Sequence, residues 1–187
     1  IDIGVGTYNS KTFSSKRYEI WNMQSQYHNL PLINGIQQKE GRKFEATDVN
    51  TSKTPAHYAY SVDIAKAYPN DAAVDSWVRD FKLTKNSNVL EVKEKYILKD
   101  SKATQQLVFM TKYKPNNKNN SFNITLDNKD QAILEFKTKT KDIRVEEIVV
   151  EDVRIANVWG EKVYRVIAEF DTKSKTGLIE YKVSFSN

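Results

Sequence analysis

Residues 89–98 read VLEVKEKYIL, and this stretch decides the fold class. Apolar and charged side chains alternate along it, as they do in a strand that buries one face and exposes the other. The apolar face holds Leu90, Val92, Tyr96 and Leu98, and the polar face holds Glu91, Lys93 and Lys95. This alternation predicts one strand of an antiparallel sheet that has a single face on the core.

The same two-residue period returns at 105–113, 121–126, 132–138, 143–150, 163–170 and 178–185. No run of ten or more residues keeps the apolar stripe of a helix, although a short helical turn is expected near Asp71–Asp75. Closely spaced strands of this kind are typical of a sandwich. The sequence therefore predicts an all-β fold, a large antiparallel β-sandwich with little or no helix, formed by residues 1–187 as a single domain.

The amino-acid composition excludes several classes of protein and site. Cysteine is absent, which excludes disulfide scaffolds, cysteine-ligated metal sites and thiol nucleophiles. No apolar run approaches the roughly 20 residues of a membrane span, so none is predicted. The net charge of +5 favours anionic partners, and sulfated or uronic-acid polysaccharides satisfy it as well as nucleic acid does. Nucleic acid is not expected, because most tyrosines fall on apolar strand faces rather than on exposed stacking platforms.

The first 45 residues follow a different pattern. They hold four of the six glycines, and they combine His, Asp, Arg and aromatic residues with only weak alternation. A segment that departs from the local rules of its fold is commonly functional or tightly turned. Gly4 and Gly6 predict a bend or a close backbone approach, and Asn34-Gly35 is a hairpin-turn dipeptide.

Asp2 and His28 are the candidate metal ligands of this segment. A carboxylate and an imidazole are donors that zinc accepts, but a separation of 26 positions (28 − 2) is not a metal motif. From the residues alone, a hydrogen-bonded strand aspartate and a structural histidine explain the pair more simply. The chain has two histidines and no cysteine, so a metal site would need carboxylates or ligands from outside the chain.

Three spaced motifs of the first 35 residues resemble the heparinase II/III-like polysaccharide lyases. They are Asp2-Ile3-Gly4-Val5-Gly6-Thr7-Tyr8, Arg17-Tyr18, and Tyr27-His28-Asn29-Leu30-Pro31 followed by Asn34-Gly35. In that family an Asp-x-Gly-x-Gly-x-Tyr strand is followed by Arg-Tyr and then by His-Asn before an Asn/Asp-Gly turn. Asp63–Pro69 and Trp77-Val78-Arg79 resemble later parts of the family's β-domain.

The resemblance implies that the chain is the β-sandwich portion of a longer lyase, lacking the N-terminal α/α toroid that would be its partner. Such enzymes cleave uronic-acid-containing glycosaminoglycans by β-elimination, here with heparin or heparan sulfate as the expected anionic polysaccharide. The family's principal catalytic groups lie on the toroid, so no catalytic residue is expected in this chain, which alone should be inactive. A bacterial periplasmic or secreted location is implied.

The resemblance also assigns site residues. A structural zinc in the family is held by a histidine from a preceding strand, then by the Asp and by the histidine of His-Asn, which correspond to Asp2 and His28. Arg17, Tyr8 and Tyr18 become the candidates for substrate contact, since arginine pairs well with sulfate and carboxylate. The alternative from the residues is a non-catalytic carbohydrate-binding or structural β-sandwich module.

Overall fold

The computed structural model describes residues 1–87, 89–101, 104–172 and 174–186. These residues form twelve strands, all paired antiparallel. The strands are β1 Pro31–Leu32, β2 Thr47–Lys53, β3 His57–Asp63, β4 Val74–Thr84, β5 Val89–Leu98, β6 Gln105–Thr111, β7 Asn116–Lys118, β8 Ser121–Thr125, β9 Gln131–Phe136, β10 Asp142–Val149, β11 Lys162–Phe170 and β12 Thr176–Ser186.

The strands form two sheets, which confirms the predicted all-β sandwich. The larger sheet has the order β2-β3-β4-β5-β12-β9-β8-β7, and the smaller has the order β1-β6-β11-β10. Alternate side chains of both sheets meet in one apolar cluster, in which Trp77 and Val166 have no exposed surface. This cluster is the core that the strand periodicity predicts.

The strands β6 and β11 of the smaller sheet are buried on both faces. The second face of this sheet, where Val163 and Ile167 are completely buried, packs against aromatic residues of the N-terminal segment and against a short helix. We call residues 1–30 the N-terminal layer. The layer contains 3-10 turns at Arg17–Glu19, Trp21–Met23 and Ser25–Tyr27 and places Trp21 and Tyr27 on the sheet. The molecule therefore has a third layer that strand periodicity does not reveal.

Helix α1, Val153–Trp159, completes this third layer. Asp152 caps its N-terminus by accepting a hydrogen bond from the Ile155 amide at 3.1 Å, and Gly160 ends it at φ 92°. A helix of seven residues is too short to show a recognisable apolar stripe, so the spacing of apolar residues does not predict α1. Two further 3-10 turns, Ala65–Ala67 and Asn70–Ala72, lie close to the expected helical turn. No helix in the described part of the chain is long and apolar enough to cross a membrane.

The segment that carries Asp2 is not a strand, which corrects the expectation drawn from the resemblance. Gly4 has a φ of 75°, which interrupts an extended backbone. Side chains, rather than a neighbouring strand, bond the main chain here: Asn22 donates to the Gly4 carbonyl at 2.8 Å, and Asp152 accepts from the Thr7 amide at 2.7 Å. A Cβ on Gly6 would lie 2.8 Å from an Asp152 oxygen, so the predicted close approach is confirmed.

Candidate functional site

The fold brings Asp2 and His28 together. Oδ2 of Asp2 lies 3.1 Å from Nδ1 of His28, although the residues are far apart in sequence. The histidine side chain is 26% exposed and the aspartate side chain is 69% exposed. The pair is therefore open to solvent on the aspartate side, where a further ligand has access.

Both ring nitrogens of His28 face acceptor oxygens. Nε2 lies 3.2 Å from the main-chain carbonyl of Asn22, and Nδ1 faces the carboxylate of Asp2. A neutral imidazole has one N–H and satisfies only one of these acceptors. If a metal ion lay between Nδ1 and the Asp2 carboxylate, the hydrogen on Nε2 would be free to donate to the Asn22 carbonyl.

Asn29 fixes the positions of the two segments that carry the pair. Its amide nitrogen donates to the carbonyl of Ile1 at 2.8 Å, and its amide oxygen accepts from the Met110 amide at 2.8 Å. The first bond holds the residue before Asp2, and the second holds both segments on β6. Asn29 therefore links the N-terminal layer to the smaller sheet beside His28.

A buried ion pair anchors Asn29 from the other side. Nη1 of Arg79 donates to the Asn29 carbonyl at 3.0 Å, while Nε donates to Glu94 at 2.8 Å. Glu94 has no exposed surface and also accepts from Nε1 of Trp77 at 2.7 Å. Burial alone disfavours the charged guanidinium, but the Glu94 carboxylate outweighs this and holds the pKa of Arg79 above its usual value. The hydrogen-bonded path thus runs from the core to the candidate site.

Sequence reasoning missed Glu94. It shares its strand face with the apolar residues Val92 and Tyr96, and this parity was the available signal for an inward-facing carboxylate. Arg79 has the same parity as the buried Trp77 on β4. Arg79 and Glu94 are directly paired across β4 and β5. Opposite charges at paired, core-facing positions of neighbouring strands indicate a buried ion pair.

The pair fits part of a zinc site and not a whole one. Two ligands of tetrahedral zinc lie about 3.3 Å apart when each is about 2.0–2.1 Å from the metal, which is close to the Asp2–His28 separation. The carbonyl of Asn22 at Nε2 is the kind of outer partner that a zinc-bound histidine has. Among the described residues, however, no group of three or more His, Asp or Glu side chains is placed to hold a metal.

Arg17 and Tyr18 lie in the first 3-10 turn of the N-terminal layer, Arg17–Glu19. Nη2 of Arg17 lies 3.9 Å from the sulfur of Met23, and its Nε is buried with no hydrogen-bond partner. Tyr18 is 45% exposed and lines an open groove of about 440 Å³. The groove also contains Met23, Gln24, Gln38, Lys39 and Glu40. Its amide side chains suit the hydroxyl groups of a sugar.

Tyr8 lies elsewhere, beside α1. Its ring is 59% exposed, packs on Phe13 with ring centres 5.2 Å apart, and lies 5.7 Å from the Arg154 guanidinium. Tyr8 makes no ring contact or hydrogen bond with Arg17 or Tyr18. Of the three candidates for substrate contact, Tyr18 is thus the one among the described residues that line this groove, whereas Tyr8 packs beside Phe13 and Arg154.

The fold has solved counterparts, whereas no sequence-family model and no curated protein matches the chain. The crystal structure of heparan sulfate lyase HepC from Pedobacter heparinus matches with a TM-score of 0.71 and 13% identity, over 100% of this chain and 28% of that one. The fold is that of a heparinase III segment. A heparinase III gene product with methylated lysines matches with a TM-score of 0.71 and 11% identity, over 99% of this chain and 27% of its own. A third structure, titled heparinase III, matches with a TM-score of 0.66 and 15% identity, over 100% of this chain and 27% of its own.

These matches confirm the predicted resemblance at the level of the fold. At identities of 11% to 15%, a shared heparinase III fold does not by itself carry an activity. The chain spans little more than a quarter of the length of the solved chains. The roles of Asp2, His28, Arg17, Tyr8 and Tyr18 stay predictions.

Proposed function

We propose that the chain is the β-sandwich part of a polysaccharide lyase that cleaves a uronic-acid-containing glycosaminoglycan, heparin or heparan sulfate. The observation that supports this most is the fold match over 98–100% of the chain to structures titled heparan sulfate lyase or heparinase III. The net charge of +5 is suited to a polyanionic substrate. The parent protein would work in the periplasm or outside a bacterial cell.

The proposed reaction is a β-elimination. A base removes the proton from C5 of the uronic acid, the electron pair forms a C4=C5 double bond, and the C4–O4 bond breaks. The departing O4 takes a proton from an acid, and the uronate carboxylate must be neutralised for C5 to become acidic. In this proposal the base and the acid lie on an α/α toroid outside these residues, and the sandwich supplies a wall of the cleft.

A structural zinc ion belongs to the proposal, with Asp2 and His28 as two of its ligands. Two contacts support this: Oδ2 of Asp2 lies 3.1 Å from Nδ1 of His28, and the Asn22 carbonyl lies 3.2 Å from Nε2 of His28. A third protein ligand would come from outside the chain. When bound, zinc would brace the N-terminal layer, because Asp2 and His28 come from two separate segments of that layer.

The lyase proposal is tested by heparan sulfate cleavage. We expect a polypeptide in which an α/α toroid precedes this segment to produce the ultraviolet absorbance of a C4=C5 double bond. The 187-residue chain alone should produce none. If the longer polypeptide binds heparan sulfate but forms no unsaturated product, the proposal is wrong and the chain is a non-catalytic glycan-binding module.

The zinc proposal is tested by equilibrium dialysis followed by mass spectrometry of the metal. We expect zinc affinity to fall in both Asp2→Asn and His28→Ala by at least the roughly 10- to 100-fold that loss of an outer partner of a ligand costs, because a direct ligand is lost. His57→Ala is the matched control, because Nδ1 of His57 lies 3.1 Å from the Thr54 hydroxyl and has no carboxylate partner among the described residues. Equal zinc binding by the His28→Ala and His57→Ala variants would exclude the assigned site.

A further inference from the structure

A second open cavity lies where β4 begins and β5 ends. Its volume is about 570 Å³, inside the range of about 300–1,000 Å³ that is usual for small-molecule sites. Its lining includes Lys43, Phe44, Lys66, Pro69, Asp75 and Lys99. None of these residues belongs to the Asp2–His28 site.

The cavity has an excess of positive charge. Three lysines line it against one aspartate, and Lys99 lies 3.6 Å from that aspartate, Asp75. Among the described residues, no carboxylate lies within ion-pair distance of the Lys43 or Lys66 ammonium group. Two ammonium groups are thus available to an anion from solution.

Hydrogen-bonded main chain holds Lys66 and Lys99, and Lys43 lies in a turn where the Phe44 amide donates to the Gly41 carbonyl at 3.0 Å. Lys66 lies in the 3-10 turn between Ala65 and Ala67, both of which are buried. The carbonyl of Ala67 accepts from the Lys39 amide at 3.1 Å, and the Lys99 amide donates to the Ala73 carbonyl at 2.8 Å. The lysines come from three separate parts of the chain, so their convergence is a property of the fold.

An aromatic ring lies beside these charges. Phe44 is half-buried, with Nζ of Lys43 5.2 Å and Nζ of Lys39 5.9 Å from its ring centre. Lys39 also lines the groove that contains Tyr18, so the two concave regions adjoin through Lys39 and Phe44. An apolar ring face next to ammonium groups suits a sugar ring that carries an anionic substituent.

We propose that this cavity binds an anionic sugar unit, with its sulfate or carboxylate group between Lys43 and Lys66 and its ring on Phe44. A longer glycan continues past Lys39 into the groove of Tyr18. The inference rests on the proposed function for the class of ligand, and it adds the place on the sandwich where that ligand binds.

The test uses a heparan sulfate octasaccharide and isothermal titration calorimetry on the 187-residue chain. For the double variant Lys43→Ala/Lys66→Ala, we expect affinity to fall about tenfold, since two charge-assisted contacts are lost at a solvent-exposed site. Lys118→Ala/Lys129→Ala removes the same charge from exposed positions, in the edge strand β7 and in the turn between β8 and β9, and should change affinity by less than about twofold. Melting curves confirm that both variants fold.

The outcomes separate this inference from the function on which it rests. If both double variants bind the octasaccharide equally, the cavity is not the site, while glycosaminoglycan binding itself stands. If the unchanged chain does not bind the octasaccharide, the inference fails together with the ligand class of the proposed function. Binding of neutral maltooctaose with equal affinity would overturn the assigned role of the lysines.

Discussion

Different features of the sequence determine the structure of two regions, the N-terminal layer and the strands from Thr47 onward. In the strands, alternation of apolar and polar residues determines which face is buried, and main-chain ladders satisfy the polar groups. In the N-terminal layer, single polar side chains satisfy distant main-chain groups, as Asn22 does for Gly4 and Asn29 does for Ile1. A pattern repeated over many residues tolerates single exceptions, whereas a layer built on individual contacts depends on each of them.

The largest expected loss of stability comes from changing Glu94, the charged residue on the buried face of β5. Glu94→Ala leaves the Arg79 guanidinium buried beside Trp77 without its carboxylate. We expect the free energy of unfolding to fall by about 3–5 kcal/mol, the usual cost of leaving a buried charge unpaired. Urea denaturation followed by tryptophan fluorescence measures the loss.

A double variant separates the pair from its packing. Arg79→Met/Glu94→Leu replaces both charges with apolar groups of similar size, and it should recover most of the stability that Glu94→Ala loses. Arg79→Met/Glu94→Ala, which keeps the cavity of the single variant but removes the charge, completes the comparison: if it is no more stable than Glu94→Ala, the loss comes from packing and not from an unpaired charge.

Much of the sandwich was predictable, and its exceptions have physical causes. Strand 89–98 has the predicted bounds, because ten alternating residues leave little choice of register. Helix α1 was not predicted, since its signals are a cap at Asp152 and a glycine at Gly160 rather than a period. A sequence reading that tests caps as well as periods would have proposed it.

Less of the first 45 residues was predictable. The Asn34-Gly35 turn is confirmed, because both residues have positive φ values, 52° and 79°, as that dipeptide predicts. The amide of Asn34 also donates to the carbonyls of Ala72 and Asp100, at 2.8 and 2.9 Å. Those partners lie 38 and 66 positions away, and no local rule relates a side chain to main-chain groups so distant.

An intermediate effect is expected at Asn29. Asn29→Ala removes the bonds to the Ile1 carbonyl and from the Met110 amide. We expect a loss of about 1–3 kcal/mol, concentrated in the N-terminal layer, because main-chain groups lose their partners. Hydrogen exchange followed by mass spectrometry should show faster exchange in peptides from residues 1–9, while peptides from β4 and β5 keep their protection.

Asn123→Ala is the matched control for Asn29. Asn123 lies in β8, is half-buried, and donates one side-chain hydrogen bond to Gln131 at 2.8 Å. Its removal should leave exchange in residues 1–9 unchanged. Equal protection of residues 1–9 in the Asn29→Ala variant and the unchanged chain would show that the layer does not depend on this contact.

The smallest expected effect concerns Asp152, which connects helix α1 to the N-terminal layer. Its carboxylate caps α1 and also accepts from the Thr7 amide in the N-terminal layer. Burial alone would raise the pKa of Asp152, but the hydrogen bonds from Thr7 and Ile155 outweigh it, and the pKa is lowered. Since the folded pKa lies below the unfolded value of about 3.9, this contribution is present above about pH 4 and is lost as pH falls through the folded pKa.

Asp152→Asn tests that sign, because asparagine has no charge and keeps one of the two acceptor oxygens that bond Ile155 and Thr7. We expect the free energy of unfolding of the variant at neutral pH to be lower than that of the unchanged chain by up to about 1 kcal/mol. The effect is small because solvent weakens the interactions of an exposed charge. The difference should shrink as the pH is lowered, because protonation removes the same charge from the unchanged chain. Urea denaturation at several pH values measures it. A difference that stays constant as the carboxylate titrates would mean that oxygen placement, not charge, fastens the N-terminal layer to α1.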